Sequence, residues 1–511
     1  MRSWLLPGLV VAAVLAGCNG LPSLEGRTAS AAFTDTNDTP IGMAIAPLLA
    51  AHPGLSGVYA LADGHDAFAA RAVLANSAKR SLDIQYYIWR NDITGALLFD
   101  ILRAAAGRGV RVRLLLDDNN TSGLDATLAQ LDLHRNIEVR LFNPFVMRRA
   151  RLLGYATDFA RLNRRMHNKS FTIDGQATII GGRNIGDEYF GAAGEVLFAD
   201  LDVLAIGPVV QAVSQDFDRY WNSASAYPLS LIVTTPDPGR AAAPASDSAT
   251  IKLASAAREY QLAIRESNFV AELVAQHLPL EWAVTRLVSD DPAKALDRAA
   301  PESRVGPQLK QSIGEPVREL DLVSPYFVPG ETGTAAFSAI AQRGVAVRVL
   351  TNSLEATDVA AVHAGYAKWR KPLLVAGVKL FELRRAWPQD VGPGRGGPLG
   401  SSASSLHAKT FAVDGARVFI GSFNFDPRSA RLNTEMGFII DSPAMARQLA
   451  TTLDVSVAER AYEVRLAPGG ALYWIERKQG AAIRHDTEPG AGFWRRMGVL
   501  GLSWLPIDWL L

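Results

Sequence analysis

RRMHNKSFTIDGQATIIGGRNIGDEY, residues 164–189, is the stretch on which the fold turns, and SLHAKTFAVDGARVFIGSFNFDPRSARLNTEMG, residues 405–437, repeats its pattern. Each carries His-x-Lys, an Asp five residues after the Lys, and then a pair of small residues followed by x-Asn. The first set is His167, Lys169, Asp174, Gly181, Gly182 and Asn184; the second is His407, Lys409, Asp414, Gly421, Ser422 and Asn424. One copy is a weak signal, since a His on a strand is more often a structural hydrogen bonder and a lone Lys usually faces solvent. Two copies in identical spacing, 240 residues apart, point to one shared site.

The pattern within each copy says how it folds. Residues 167–173 alternate, and Asp174-Gly175 is a hairpin turn signal. On a strand, His167 and Lys169 point to the same face. The return strand, 177–180, ends at Gly181-Gly182, where backbones can approach closely, and brings Asn184 back beside His167. The same geometry removes the Asp from the site: at ~3.3 Å per residue, an extended run places Asp174 roughly 20 Å from His167. Asp174 and Asp414 are therefore expected to hold the turns. Glu188 and Glu435, downstream of each Asn, are the better candidates for orienting the imidazoles through one ring nitrogen.

Outward from these copies the chain repeats itself. Residues 81–89 (SLDIQYYIW) read as a buried strand, 94–108 as a helix ended by Gly107 and Gly109, and 110–116 as the next strand. Leu320-Asp321-Leu322-Val323 and Arg343-Gly344-Val345-Ala346-Val347-Arg348 mirror that order later, and 137–142 and 378–383 are matching strands ahead of each copy. Strand–helix–strand order implies a largely parallel sheet with covering helices. The prediction is an α/β protein of two similar halves, 57–225 and 316–470, related by a pseudo-twofold axis with a single active site at their interface. Residues 226–315 form the connection: 234–250 is a Pro/Ala/Ser linker or exposed loop, and 256–300 reads mainly as helix. The Gly/Pro/Ser run 388–405 is a mobile lid over the site or a surface insertion.

The ends of the chain carry a different message. Arg2, an apolar run over 4–16 and Leu15-Ala16-Gly17-Cys18 look like a secretory leader, 1–17, closed by a lipoprotein-type box. That resemblance implies cleavage before Cys18, its lipidation, and, with Asn19 following, the outer membrane over the inner. Residues 18–56 read as a tether. The tail, 471–511, ends in FWRRMGVLGLSWLPIDWLL, which suits a bilayer interface or packs on the core. The whole has 511 residues, 48% hydrophobic and 20% charged, with net charge +1, which disfavours a dedicated nucleic-acid binder. Cys18 is the one cysteine, so no intrachain disulfide forms.

The duplicated His-x-Lys-x4-Asp with a following Gly-Ser/Gly-x-Asn resembles the phospholipase D superfamily over most of residues 57–470. Gly182, where Ser is common, is a small departure. The Tyr86-Tyr87-Ile88-Trp89 strand, Ser405-Leu406-His407-Ala408-Lys409, the run 421–429 (GSFNFDPRS) and the end of the tail look like the bacterial cardiolipin synthase C type. The resemblance implies a catalytic set of His167, Lys169, Asp174, His407, Lys409 and Asp414, with Asn184, Asn424, Ser422 and Gly182 around the substrate. It implies a phosphohistidine on one histidine, His167 by analogy, and acid/base work by His407. No cofactor is expected. Two His could ligate zinc, but an ammonium two residues away opposes a cation and no Cys or third His joins them, so metal-free chemistry is expected. The leading expectation is phosphatidyl transfer between phospholipids at a membrane surface, with phosphatidylglycerol as an acceptor. Phospholipase D hydrolysis comes second, a nuclease third, and a non-enzymatic envelope protein is the rival outside the class.

Overall fold

The computed structural model describes residues 20–192, 197–234, 247–275, 277–385, 405–478 and 480–504. The leader with Cys18, nearly all of the run 388–405 and the final seven residues lie outside these.

Two sheets carry the chain. The first has nine strands in the order Glu281–Ala283, Ser56–Leu61, Asp202–Ile206, Ala177–Gly181, Ser170–Ile173, Ser81–Ile88, Arg111–Asn120, Ile137–Phe142 and Ala226–Pro228. The second has ten, in the order Thr285–Ser289, Met436–Ile440, Arg417–Gly421, Thr410–Val413, Glu319–Val323, Ala346–Asn352, Lys379–Leu383, Ala461–Leu466, Leu472–Lys478 and Ala481–His485. In each, three parallel strands run beside the antiparallel hairpin that holds one copy of the motif. The expected α/β halves are present.

Local chemistry explains the elements. Asp92 caps the helix Ile93–Gly107 by accepting from the Gly95 amide at 2.9 Å, and Leu98, Phe99 and Leu102 bury its inner face. Gly109 and Gly344 take positive φ of 95° and 90° where the two equivalent helices give way to strands, a conformation that glycine adopts without strain. The hairpins turn through Asp174-Gly175 (φ 51° and 63°) and Asp414-Gly415 (φ 56° and 61°), two positive values in each, as the twist of the flanking strands favours.

An apolar cluster crosses from one half to the other. Ile180, Val203 and Ala205 of the first sheet join Ala412, Ile420, Met436 and Phe438 of the second, all at most 3% exposed. The hairpins therefore back onto each other. Burying that shared surface fixes the halves as one unit.

Two boundaries move. Residues 20–56 are not a free tether. The Arg27 guanidinium donates to the carbonyls of Asn222, Ser223 and Ala226 at 2.6–2.8 Å, and Trp221 donates to Ser30 Oγ. Arg111 stacks 3.9 Å from the Phe33 ring, and the helix Pro40–Ala51 buries Ile41 and Ile45. Composition had suggested a tether because these small polar residues pair with backbone and arginines elsewhere in the chain. The connection is also less helical than expected. Glu281–Ala283 closes the first sheet and Thr285–Ser289 opens the second, so one residue, Val284, separates two strands that belong to different halves. The second sheet runs on to His485, well past 470, before the helix Phe493–Ser503.

Asp174 sits at the turn, as the spacing required. Its carboxylate accepts from the amides of Lys79, Arg80 and Ser81 at 2.7–3.0 Å, and Asp414 accepts from Val317, Arg318 and Glu319 at 2.7–3.1 Å. Neither touches an imidazole, so both drop out of the catalytic set and become clamps. Asp174→Ala should lower stability by about 3 kcal/mol, because buried amides lose a charged acceptor. A reduced urea midpoint with near-normal turnover per folded molecule is the expected result.

Candidate active site

The site lies where the C-terminal ends of the parallel strands in both halves meet. Ser170 faces Gln85 and Thr410 faces Val323, so His167 and His407, just ahead of those hairpin strands, emerge at that edge. Each is tied by its backbone to the other half. The His167 amide donates to the Thr434 carbonyl at 2.9 Å, while the His407 and Ala408 amides share the Ala199 carbonyl at 2.7 and 2.9 Å. Thr434 and Ala199 immediately precede the two residues that then take the rings.

Those residues are carboxylates. His167 Nδ1 lies 2.8 Å from Glu435 Oε2, and His407 Nδ1 lies 2.5 Å from Asp200 Oδ2. A carboxylate on Nδ1 fixes the tautomer and leaves Nε2 for chemistry. Both histidine side chains are 9% exposed and both carboxylates are fully buried. The pairing is crossed: Glu435 serves the first half's histidine, and the expected partner Glu188 is not at the site but beside Arg90, 3.3 Å from its Nε. Asp200 takes the place assigned to Glu188.

Sequence reasoning missed Asp200 because the spacing differs between the copies. In the ladders Gly181 faces Asp202 and Gly421 faces Gly437. Two residues back from each partner stand Asp200 and Glu435, so they are structural equivalents, with five more residues in the first copy's return segment. The Gly182 departure follows from the same substitution. A Cβ at 182 would stand 2.0 Å from Asp200 Oδ1, so only glycine leaves space for the shorter carboxylate. Ser422, its counterpart, donates to Glu435 Oε2 at 2.5 Å, and Ser429 donates to Oε1 at 2.8 Å. Gly182 and Ser422, expected around the substrate, thus stand against the two carboxylates. Asp290, neutralised by Lys294 at 2.9 Å, accepts from the Glu435 amide and holds that residue in place.

Lys169 and Lys409 are buried beside the rings, each ammonium donating to the carbonyl of its own histidine at 2.6 and 2.5 Å. Lys409 Nζ also lies 3.2 Å from His407 Nε2. Asn184 is less free than expected: its amide donates to the Tyr189 hydroxyl at 2.9 Å and accepts from the Ile88 amide. Asn424 is buried with its Oδ1 unpartnered, a polar atom available to a ligand. Aromatic walls complete the site, and the chemistry-bearing motif had not marked them. Tyr87 stands edge-on to His167 at 5.0 Å, and Tyr189 and Phe198 flank His407 at 5.2 Å.

Burial and charge set the protonation states. Burial pushes His167 well below the ordinary imidazole value, and Lys169, Lys409 and His407 push the same way. His407 is also lowered by burial and by Lys409, but the Asp200 carboxylate opposes them. Burial raises Asp200, yet His407, Lys409 and Arg183 outweigh it and hold the carboxyl below its usual range. Glu435, by contrast, is driven up to about 7 by burial in spite of Lys169. Burial also brings Lys169 down to about 7 and Lys409 to about 8. Both histidines are therefore lowered, and the Asp200 carboxylate that opposes the lowering lets His407 keep more of its proton affinity than His167.

Gly182→Ala should therefore cost nearly as much activity as Asp200→Asn, about 10⁴-fold in kcat, the loss seen when an imidazole is deprived of its orienting carboxylate. Ser422→Ala should cost less, since Ser429 and His167 still hold Glu435, and Glu188→Gln should leave turnover near normal. Steady-state kinetics of the four variants check the order.

A family profile described as cardiolipin synthase, PLD-like domain, matches residues 73–221 and again 309–455. The chain is 50% identical over 471 residues to cardiolipin synthase C of Escherichia coli K12, covering 92% of this chain and 99% of that one. It is 26% identical over 390 residues to a cardiolipin synthase of Listeria monocytogenes, covering 76% and 66%. The solved phosphatidylserine synthase of Haemophilus influenzae Rd KW20 superposes with a TM-score of 0.55 at 13% identity, covering 89% of this chain and 97% of that one, a likeness of fold. With the profile matched once in each half and a relative similar along nearly its whole length, the chain belongs to the phospholipase D-like cardiolipin synthase family.

Proposed function

We propose that this protein transfers a phosphatidyl group from one phospholipid to the hydroxyl of another, phosphatidylglycerol being the acceptor that yields cardiolipin. The observation that carries the reading is the pair of crossed imidazole–carboxylate contacts, His167 with Glu435 and His407 with Asp200. The name of the relative at 50% identity supports the choice of substrate. Nε2 of His167, neutral, attacks phosphorus; the bond to the leaving alcohol oxygen breaks, and His407 supplies the proton that oxygen needs. A phosphatidyl-histidine remains. His407, now neutral, takes the proton from the acceptor hydroxyl, whose oxygen attacks phosphorus and frees His167. Lys169 and Lys409 offset the charge that grows on the phosphoryl oxygens.

The reading includes an address. The run 4–16 closed by Cys18 supports a leader and an acylated thiol that would hold the enzyme at the cell envelope, with the outer membrane favoured.

Labelled phospholipids in vesicles, with products separated, test the reaction. Cardiolipin is expected; phosphatidic acid would assign water as the acceptor, and neither product would overturn the reading. His167→Ala and His407→Ala should each abolish turnover, and a chelator should leave it unchanged. Label that survives an alkaline quench and is released by acid should appear on the unaltered protein during turnover and be absent in His167→Ala.

A pH profile tests the electrostatics. Deprotonating Lys169 or Lys409 removes positive charge from the phosphoryl site, so kcat/KM should fall as pH rises through about 7 to 8, well below the range of a free lysine. Lys409→Arg should move that limb upward. A limb near pH 10 would contradict the burial argument.

A further inference from the structure

Two exposed apolar patches lie outside the catalytic centre, one on each half. The helix Phe493–Ser503 turns Val499 and Leu502 inward, onto Leu354, Ala360 and Ala364. Its other face presents Phe493 (59% exposed), Trp494 (83%), Met497 (45%) and Leu500 (47%), and Trp504 (81%) continues the stripe. On the first half, the helix Arg151–Thr157 exposes Leu152 (85%) and Leu153 (57%), with Phe159 (42%) just beyond.

Both patches are anchored to the edge where the histidines emerge. Arg495 donates to the Thr357 carbonyl at 2.9 Å, and the next residue, Asp358, accepts from the Tyr326 hydroxyl in the loop after the strand Glu319–Val323. Arg151 donates to the Asp118 carbonyl, and Tyr155 donates to Asn119 at 2.7 Å, both at the end of the strand Arg111–Asn120. The neighbouring Asn120 amide reaches the backbone of Tyr87, whose ring abuts His167. Each patch is thus a short chain of contacts away from the catalytic edge.

We propose that these two patches are the surface by which the protein rests on a phospholipid bilayer, one on either side of the site entrance. Exposed Trp, Phe and Leu side chains are those that settle at the membrane–water interface. No helix among the described residues is long and apolar enough to cross a membrane, so the contact lies in the interface and does not span it. The inference rests on the proposed reaction, because a substrate held in a bilayer must reach an edge that faces it. It adds which residues face it.

The chain's lone cysteine makes a direct test available. In the full chain with Cys18 kept, a reporter thiol is introduced as Leu152→Cys, Trp494→Cys or Val317→Cys and labelled with an environment-sensitive fluorophore, and protein without the introduced cysteine, put through the same labelling, sets the background. Val317 is 73% exposed but sits by the Asp414 turn, at the opposite edge of the sheet. The probe is vesicles of phosphatidylethanolamine and phosphatidylglycerol bearing a nitroxide on the acyl chain. Quenching of about twofold is expected at 152 and 494 and none at 317, as interfacial insertion requires. Responses at 152 and 494 no larger than at 317 would overturn the proposal. So would the same fluorescence change without vesicles as protein concentration rises, which would assign the patches to a second copy. Transfer assayed on short-chain phospholipid in free solution judges the reaction separately, so activity there without quenching would sink this inference alone.

Discussion

Each of the two motif histidines, His167 and His407, is oriented by a carboxylate that the other half supplies, and almost everything else follows from that exchange. The Thr434 carbonyl accepts from the His167 amide and the next residue, Glu435, takes its ring; Ala199 and Asp200 do the same for His407. Backbone and side chain are thus set by one short segment. A half alone would leave its imidazole with no partner for Nδ1 and its carboxylate buried without a counter-charge, which is costly in an apolar interface. The apolar cluster shared by Ile180, Val203, Ile420 and Phe438 keeps the two exchanges in register.

The duplication is not symmetrical in its electrostatics. A glutamate braced by two serine hydroxyls serves His167, whereas a shorter aspartate packed against Gly182 serves His407. Asp200 is held ionised and props up the proton affinity of His407, while Glu435 is lifted to about 7 and does less for His167. Two copies of one motif thereby stand in different electrostatic surroundings. The buried lysines add to this, since Lys169 and Lys409 both lower the proton affinity of the two rings.

Much of this was legible in the residues. Alternation from His167 to Ile173, the Asp-Gly turns and the 240-residue repeat gave the hairpins, the α/β halves and the placement of Asp174 and Asp414 away from the rings. What stayed hidden depended on contacts between segments remote in sequence. Asp200 lay behind a return segment of different length, and the crossing of the carboxylates is a property of the interface. Residues 20–56 lack a period of their own because the first half supplies their partners, Asn222 and Trp221 among them. Strands as short as Glu281–Ala283 carry too few residues to show alternation.

The most direct test of the shared centre is a crystal structure with orthovanadate, which takes the five-coordinate geometry of phosphoryl transfer. The account predicts one vanadium, bonded to Nε2 of His167 and approached from the opposite side by Nε2 of His407, with Glu435 and Asp200 still on the two Nδ1 atoms. Two separate anions, or one that touches a single histidine and leaves the other turned away, would contradict it.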